Sequence, residues 1–507
     1  MIFLKKHMRF TSVALTIILA MGCLVSGAVS LPGQISSSYS EIYPGVTATE
    51  YYLAEGGKYS ENGPQFLRVL EFDPKQEDLA FDVVMAGEKM GELKPLSQII
   101  DEFNETNNEN KTVIAGINGD LWTQASHHSR VEGESDDPVV KKELCLPRGF
   151  TMIDGEIITT NCMPYEKPFD DYFYSFGIAS DGTPYLGDIS VSITARNLTQ
   201  GVNNIFIDGI NRLPAEDALV MYTDKGPISN YALDDAYEVV IDCTNDYTVR
   251  HGERLTGKVT AVSAPGEERY AMQENRLILT ARGTAVSKIE NMQVGDSIAV
   301  TVKVNDMFGN SEVWREMTEC IGGHVPVVMG GEACTESYSR SDPMTLLGFK
   351  ADGTVVMIVN DGRQEGYSIG INRLLYEDLC IELGIDTAFM LDGGGSTTMI
   401  ELSENGYELT NRPSDYYPDG VTQGCERSIV NAVLLSYVKE DASAPGDIDG
   451  DGEVTMLDLF NLKLFIKQKD TPTSEEVKAG DIDGDGELTM VDSFELKYRI
   501  SKGFWRE

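Results

Sequence analysis

The sequence predicts a mixed α+β or α/β domain with a mixed β-sheet, followed by a small all-α module. Three observations support this prediction. Residues 355–402 follow a strand–helix–strand pattern, which is typical of a βαβ unit. Short strand-like runs separated by Gly and Asp turns dominate most of the chain before it. Near the end, one acidic segment occurs twice, 34 residues apart, and a helical pattern follows each copy.

The composition is that of a folded, strongly acidic protein. The 507 residues include 41 Lys and Arg against 81 Asp and Glu, which gives a formal net charge of −40. Hydrophobic residues make up 41%, enough for a sizeable core. Binding to a nucleic-acid backbone requires a basic face, so we expect no nucleic-acid partner. The chain has five His and neither an HExxH nor a CxxC motif, which argues against a zinc site.

Residues 1–30 have the pattern of a signal peptide. Lys5, Lys6 and Arg9 form a basic segment, an apolar stretch covers residues 13–25, and small residues favour cleavage after Ser30. A lipid anchor on Cys23 is the alternative. No later segment has 18 consecutive apolar residues, so we expect a secreted, extracellular protein without a transmembrane segment.

The regular elements of the large region follow in order along the chain. Strands are predicted at 65–72, 79–85 and 112–117, with a helix at 94–104 between the second and third. The strand at 112–117 is followed by Asn118-Gly-Asp120. From Gly149 onward, strands predominate, including a set within 275–304.

The βαβ pattern is the most informative part of this region. Its strands at 355–359 and 387–391 flank a helix predicted at 371–383. A right-handed crossover makes such strands parallel, so their carboxyl ends lie at one edge of the sheet. Asp361 follows the first strand and Asp392 the second, so we expect both carboxylates at this edge. The glycines of Asp392-Gly-Gly-Gly-Ser396 would let backbone N–H groups approach an anion.

The two acidic repeats cover 447–458 and 481–492 and have the spacing of calcium loops. Carboxylates occupy loop positions 1, 3, 5 and 12, and a glycine stands at position 6, where the chain must turn sharply. The alternative, a pair of acidic turns, does not account for two copies in register. We therefore predict two calcium ions, held by Asp447, Asp449, Asp451, Glu453, Asp458, Asp481, Asp483, Asp485, Glu487 and Asp492.

Helices are predicted after the loops, at 456–469 and 490–501, and the segment 439–446 before the first loop has the composition of a linker. This loop–helix arrangement resembles a type I dockerin. The resemblance implies binding to a cohesin module of a scaffoldin, and therefore a place in a cellulosome-like complex. In dockerins, positions 10 and 11 of each repeat help to select the cohesin. Here these partner-binding positions hold the apolar pairs Met456-Leu457 and Met490-Val491.

The large region resembles the phosphodiester glycosidase family, which includes N-acetylglucosamine-1-phosphodiester alpha-N-acetylglucosaminidase. The resemblance spans about 112–437 and rests on motifs in the family's order: Asn118-Gly-Asp120, Phe176–Gly182, Ile321-Gly-Gly323, Pro326–Val328, Arg363, Ile371-Asn372, Leu391–Ser396, Asn411–Asp415 and Glu426-Arg427. The predicted domain organisation is a signal peptide (1–30), an N-terminal part of the large domain (31–110), the glycosidase domain (111–438), a linker (439–446) and the dockerin (447–507).

This resemblance implies hydrolysis of the bond between a sugar and a phosphate, with a carbohydrate phosphodiester as substrate and no cofactor in catalysis. The catalytic candidates are Asp392, Asp361, Asp120 and Asn118. Each could instead be a turn or capping residue. The candidates for holding the substrate phosphate are Arg363, Gly393, Gly394, Gly395, Ser396 and Arg427. Arg427 could instead form a structural ion pair.

One position departs from the family pattern. Family members commonly have an arginine where this chain has Met344, and Arg340 is the nearest replacement. The departure leaves a second function open, namely a non-catalytic carbohydrate-binding or adhesion module on the same fold. A purely structural dockerin protein is a third possibility, which the glycine-rich edge disfavours.

Overall fold

The structure is a computed structural model. It describes residues 29–502 apart from 107–110, 130–139, 163–173, 228–232, 245–246, 268, 335–339, 439–444, 449–453, 468–470, 473 and 485. The predicted signal peptide therefore lies almost entirely outside the described residues.

The described part is mostly β-sheet, consistent with a mixed α+β class. The first strands are β1 (Gln34–Tyr43), β2 (Val46–Leu53), β3 (Gln65–Phe72), β4 (Leu79–Met85), β5 (Lys111–Asn118), β6 (Trp122–Ser129), β7 (Val140–Pro147), β8 (Thr151–Ile153), β9 (Glu156–Thr159), β10 (Tyr174–Ala179), β11 (Pro184–Asn197), β12 (Val202–Ile207), β13 (Gly209–Ile210) and β14 (Leu219–Tyr222). The later strands are β15 (Tyr237–Cys243), β16 (Arg254–Ser263), β17 (Arg276–Ala281), β18 (Ser297–Asp306), β19 (Met317–Gly322), β20 (Pro326–Met329), β21 (Glu332–Ala333), β22 (Met344–Lys350), β23 (Val355–Asn360), β24 (Ile385–Met390), β25 (Met399–Ser403), β26 (Gly406–Leu409), β27 (Asp415–Tyr416), β28 (Gln423–Cys425) and β29 (Asn431–Val438). The helices are α1 (Leu96–Thr106), α2 (Tyr376–Glu382), α3 (Met456–Ile466), α4 (Ser474–Gly480) and α5 (Met490–Lys502).

The first large sheet has eight strands in the order β1-β2-β3-β23-β22-β24-β20-β21. Its central strand β23 is fully buried, as expected for a continuous apolar run between two layers. Because β3 pairs with both β2 and β23, the N-terminal strands share a sheet with the βαβ region.

The second sheet has five strands in the order β26-β25-β5-β29-β4. It packs against the first sheet through a common apolar core that includes Phe81, Phe176 and Phe389. Helix α1 covers its other face with Leu96 and Ile100. The carboxyl end of β5 therefore comes close to the edge where β23 and β24 end.

The third sheet has twelve strands, all drawn from the segment between β8 and β19. It encloses its own apolar core, in which Trp314 is the largest buried side chain. Strands dominate this part of the chain, as the sequence predicts.

The βαβ unit differs from its prediction in two respects. Strands β23 and β24 run in the same direction, but β22 lies between them and pairs antiparallel with both. All pairs in this sheet are antiparallel, so the predicted mixed character is not seen there. The helix is also shorter than predicted, because a 3-10 turn at Arg373–Leu375 precedes α2. The carboxyl ends of β23 and β24 still share one edge.

The C-terminal module contains three described helices. α3 and α5 start where the sequence predicts, and α4 lies between the repeats, where no helix was predicted. Its small core includes Ile448, Leu462, Ile482 and Leu496.

Candidate functional site

Asn118 holds together the strand ends at the shared edge. It is fully buried, and its side-chain N–H donates to the carbonyl of Asp392 at 2.8 Å. Its Oδ1 accepts hydrogen bonds from Thr345 Oγ1 (2.6 Å) and from the Thr398 amide (3.1 Å). These contacts tie the backbone of Asp392 to β5 and to Thr345 and Thr398.

Asp120 is the most unusual carboxylate at this edge. It is 1% exposed, and one oxygen, Oδ2, accepts a hydrogen bond from the Gly149 amide at 2.5 Å. The other oxygen, Oδ1, is buried and has no hydrogen-bond partner among the described residues. Burial raises the pKa of Asp120 to about 7, and the negative charge of Asp392 contributes to the increase.

Asp392 lies close enough to Asp120 for the two charges to interact. Its Oδ1 accepts a hydrogen bond from the Gly393 amide at 2.9 Å, and its own amide donates to the carbonyl of Gly119 at 3.0 Å. Burial raises the pKa of Asp392 as well, while the Ser396 hydroxyl, the Gly393 amide and the charges of Arg427 and Arg148 oppose the increase. The two carboxylates therefore have different electrostatic surroundings.

One further polar group at this edge, the side-chain N–H₂ of Asn431, is buried without a partner among the described residues. The hydroxyl of Ser396 is also buried, and it interacts with the carboxylate of Asp392. Asn431 uses its oxygen to accept from the Asp120 amide at 2.8 Å. Unpartnered buried polar groups are uncommon in folded proteins, so their concentration beside two acids indicates a place for a polar ligand.

Asp361 lies at the same edge, but its carboxylate is fully engaged. Oδ1 accepts from Asn411 Nδ2 at 2.8 Å, and Oδ2 accepts from the Arg412 amide (2.8 Å) and the Tyr367 hydroxyl (3.0 Å). Burial raises its pKa to about 6, and these hydrogen bonds oppose the increase. The contacts are those of a structural residue that fixes the segment around 411–412.

Arg363 lies beside the glycine turn and is partly exposed. Its Nε donates to Asp342 at 3.0 Å, and Asp342 also pairs with Arg340 at 2.6 Å. The guanidinium group of Arg363 packs against Gly394. Its backbone is left-handed, with φ of +60°, which is unusual for a residue other than glycine. Arg340 is thus brought next to Arg363 by a shared carboxylate.

Arg427 forms a two-pronged ion pair with Asp415. Nε and Nη2 donate to the two carboxylate oxygens at 2.8 and 2.9 Å. The pair packs directly on Gly395, so any side chain at 395 would overlap both groups. Arg427 thus forms the ion pair that the sequence analysis gave as its alternative role. Its charge also favours the ionised form of Asp392.

The backbone amides of the glycine turn are less available to bind an anion than the sequence suggests. The Gly393 amide donates to Asp392, and the Gly394 amide donates to the carbonyl of Pro343 at 2.9 Å. The thioether of Met344, where the family resemblance predicts an arginine, lies near Gly393. An anion at this edge would therefore rely on arginine side chains more than on these two amides.

Sequence reasoning missed Arg148 and His324. The positive charge of Arg148 acts on Asp120, Asp392 and His324, so it lies near all three. The ring Nδ1 of His324 lies 2.7 Å from an N–H of Arg373. Burial lowers the pKa of His324 to about 4, and both arginines contribute, so its ring is neutral at pH 7. His324 follows the Ile321-Gly-Gly323 motif directly, which was the available signal.

The second acidic repeat brings carboxylates together. Oxygens of Asp481, Asp483 and Asp492 lie within 4.8 Å of one another. Gly484 and Gly486, both with positive φ, donate their amides to Asp481. In the first repeat, Asp447 and Asp458 are buried. Hard oxygen donors in this spacing fit a calcium ion. Asp449, Asp451, Glu453 and Asp485 lie outside the described residues, and Glu487 is exposed.

The predicted partner-binding positions are exposed. Met456, Leu457, Met490 and Val491 are 60%, 54%, 48% and 56% exposed. Phe460 and Phe494, one turn further along α3 and α5, are also exposed. The two helices thus carry equivalent apolar faces, and the sequence analysis did not include the two phenylalanines.

Comparisons with known proteins also divide the chain into a large region and a C-terminal module. Residues 251–436 match the family model described as phosphodiester glycosidase, and residues 445–501 match the dockerin type I domain. The uncharacterized protein YomE of the SPbeta prophage of Bacillus subtilis is 29% identical over 157 residues, which are 28% of this chain and 22% of YomE.

Two solved structures share the fold. A protein of Burkholderia pseudomallei matches with a TM-score of 0.58 at 16% identity, over 81% of this chain and 100% of that one. A hypothetical protein from Synechocystis matches with a TM-score of 0.57 at 14% identity, over 79% of this chain and 64% of that one. These two likenesses concern the fold alone, and the similarity to phosphodiester glycosidases rests on the region 251–436. A type I dockerin domain follows it.

Within the described residues, no helix combines the length and apolar character that crossing a membrane requires.

Proposed function

We propose that the protein is a hydrolase that cleaves the bond between a sugar and a phosphate in sugar 1-phosphodiesters. One observation carries the proposal. Among the described residues, Asp120 Oδ1 and the side-chain N–H₂ of Asn431 are buried without partners next to two buried carboxylates, Asp120 and Asp392, whose pKa values are raised by burial. A polar substrate would supply the missing partners.

The proposed reaction breaks the bond between the anomeric carbon and the phosphate oxygen. Water adds its oxygen to the anomeric carbon, and the phosphate leaves as a monoester that keeps the electron pair. This leaving group is already a weak base, so it needs less protonation than a sugar hydroxyl would. The site must instead bind an anion, stabilise positive charge on the sugar and activate water.

Two buried carboxylates with different hydrogen-bond partners suit these tasks. The Ser396 hydroxyl, the Gly393 amide, Arg427 and Arg148 favour the charged form of Asp392, which would stabilise the positive sugar. Asp120, with a pKa of about 7, would take the proton of the attacking water through its unpartnered Oδ1.

Arginines around the glycine turn would hold the phosphate. Arg148 lies near both acids, while Arg363 and Arg427 pack against Gly394 and Gly395. Guanidinium groups pair with phosphate oxygens through two parallel hydrogen bonds. Since Arg363 and Arg427 already pair with Asp342 and Asp415, these acids would hold the guanidinium groups in place for the substrate. Arg363 would also replace the positive charge absent at Met344.

Turnover of a chromogenic sugar phosphodiester tests this proposal. Wild type should hydrolyse it, while Asp392→Asn should lose most activity, about 10³-fold, and retain its melting temperature. Wild-type inactivity on a panel of sugar 1-phosphodiesters, combined with retained binding of the same compounds, would favour the non-catalytic carbohydrate-binding alternative that Met344 leaves open.

The dockerin would attach this activity to a larger assembly. Type I dockerin domains bind calcium, and each of the two repeats would hold one ion. The clustered oxygens of Asp481, Asp483 and Asp492 support the ion of the second repeat. The exposed faces around Met456-Leu457 and Met490-Val491 would contact a cohesin. Together with the predicted signal peptide, this supports a secreted, extracellular protein that is part of a cellulosome-like complex.

A further inference from the structure

Two arginines beside the glycine turn share a single carboxylate. Asp342 Oδ1 lies 3.0 Å from Nε of Arg363, and Asp342 Oδ2 lies 2.6 Å from Nε of Arg340. We call these three side chains the Asp342 cluster. The guanidinium group of Arg363 packs on Gly394 and so connects the cluster to the glycine turn. Two guanidinium groups and one carboxylate leave a net positive charge here, in a chain whose formal net charge is −40.

The backbone of the Asp342 cluster is held in place by close packing. A Cβ atom at Gly370 would lie 2.7 Å from the carbonyl carbon of Asp342, and one at Gly362 would lie 3.0 Å from the same atom. Gly370 also has a φ of +96°, a conformation that favours glycine. The carbonyl of Arg340 accepts a hydrogen bond from the Arg373 amide at 3.1 Å. The cluster is therefore preorganised, so an anion could bind to it with little further ordering.

The guanidinium groups around the glycine turn are used in different ways. Arg427 donates through Nε and Nη2 to both oxygens of Asp415, so this ion pair joins one arginine to one acid. Arg363 donates through Nε alone, and its terminal N–H₂ groups have no hydrogen-bond partner within the described residues. The side chains of Arg340 and Arg363 are 61% and 40% exposed. An anion bound here would gain free donors and would also reduce the repulsion between two like charges.

We propose that the Asp342 cluster binds a second anion, namely the phosphodiester next to the scissile one in a substrate with several such links. This inference rests on the proposed function. Arg363 and Arg427 would contact the scissile phosphate, and Arg340, on the other oxygen of Asp342, would contact the next one. Because Asp342 stands between the two guanidinium groups, they would hold two separate anions. The substrate would therefore be a polymer in which phosphodiester links repeat.

Two substrates that differ by one phosphate test this inference. Both contain N-acetylglucosamine 1-phosphate esterified to glycerol, and in the second ester the glycerol carries a further, methyl-capped phosphodiester. Wild type should have a KM about tenfold lower for the second ester. Arg340→Gln should remove this preference by raising KM for the second ester, with kcat for both esters and KM for the first unchanged.

Arg315→Gln is the matched control. It removes the same charge from a side chain that is 53% exposed and paired with Glu312. Arg315 precedes β19, whereas His324, beside the candidate site, follows that strand. The control should therefore retain wild-type constants for both esters.

Three results would overturn the inference: no wild-type preference for the second ester, an equal rise in KM for both esters in Arg340→Gln, or the same loss of preference in Arg315→Gln. If wild type hydrolyses neither ester nor any compound of the panel described above, the proposed function fails. Calorimetry with the second ester then decides the inference by itself. Weaker binding to Arg340→Gln than to Arg315→Gln supports the second anion site, and equal binding to the two variants rejects it.

Discussion

Asp120 and Asp361 are both buried acids that follow a strand at the same edge, yet their surroundings assign them different roles. Three hydrogen bonds engage both oxygens of Asp361, whereas Asp120 leaves one oxygen unpartnered among the described residues. In the sequence, the two residues give the same signal, an acid beside a glycine at a strand end. The partners that distinguish them, Asn431 and Asn411, come from distant segments, so sequence alone could not separate the roles.

The first prediction concerns the pH dependence of activity. If Asp120 is the base, as we propose, it acts in its ionised form, so kcat/KM should fall about tenfold per pH unit below its pKa of about 7. The phosphodiester does not titrate in this range. Asp120→Asn should lose about 10³-fold in kcat/KM, and its residual activity should not depend on pH near 7. A wild-type profile that falls above pH 7 instead would assign Asp120 as an acid.

The second prediction concerns stability. The folded-state pKa of Asp120 lies above its ordinary value of 3.8, so the folded protein binds a proton between pH 8 and 5 that the unfolded chain does not bind. Wild type should therefore gain about 2–3 kcal/mol from this group on going from pH 8 to pH 5. Asp120→Asn lacks this gain. Its stability relative to wild type, measured by thermal denaturation, should therefore be higher at pH 8 than at pH 5. An equal difference at both pH values would contradict the burial argument.

Asp361→Asn serves as the contrasting substitution. In this variant, an NH₂ group replaces one of the two carboxylate oxygens, and an NH₂ group cannot accept a hydrogen bond. At least one of Asn411, Arg412 or Tyr367 therefore loses its acceptor. The expected cost is about 2 kcal/mol in the free energy of unfolding at pH 7, measured by denaturant titration. Stability equal to that of wild type would mean that Asp361 does not have the structural role assigned here.

At the scale of elements, local patterns identified many strands and helices but not how they pair. Strands at Gln65–Phe72 and Leu79–Met85 occur where the sequence predicts them, because their apolar runs are bounded by clear turn signals. The position of β22 between β23 and β24 could not be predicted, since sequence periodicity says nothing about which strand fills a gap in a sheet. The common edge was nevertheless foreseen, because strand direction follows from the crossover.

The helices of the C-terminal module give the fourth prediction. α3 and α5 present equivalent exposed faces, so either could dock with a cohesin after a half-turn of the module. Changing Met456 and Leu457 to Asp should then leave cohesin binding largely intact, and so should changing Met490 and Val491. Changing all four should abolish binding in calorimetry. Loss of binding from one pair alone would show that only one face docks.

At the scale of the whole molecule, calcium should stabilise the C-terminal dockerin module and not the large β-sheet region before it. The acids of the repeats repel one another without an ion, and a module of this size has little core to oppose the repulsion. In the full chain, chelation should make amides of α3 and α5 exchange rapidly with solvent while β5 and β23 stay protected. Hydrogen-exchange mass spectrometry measures the exchange of both sets of amides in one experiment. Unchanged protection of α3 and α5 would contradict a calcium-dependent fold.

Hydrolysis in ¹⁸O-labelled water tests the central claim most directly. If the two acids direct water to the anomeric carbon, the phosphate monoester retains all its original oxygens, and ³¹P NMR should show no isotope shift in that product. Activity should also fall about 10³-fold in both Asp120→Asn and Asp392→Asn. An ¹⁸O-shifted phosphate signal would mean that water attacks phosphorus, and the assignment of the site as a glycosidase would be wrong.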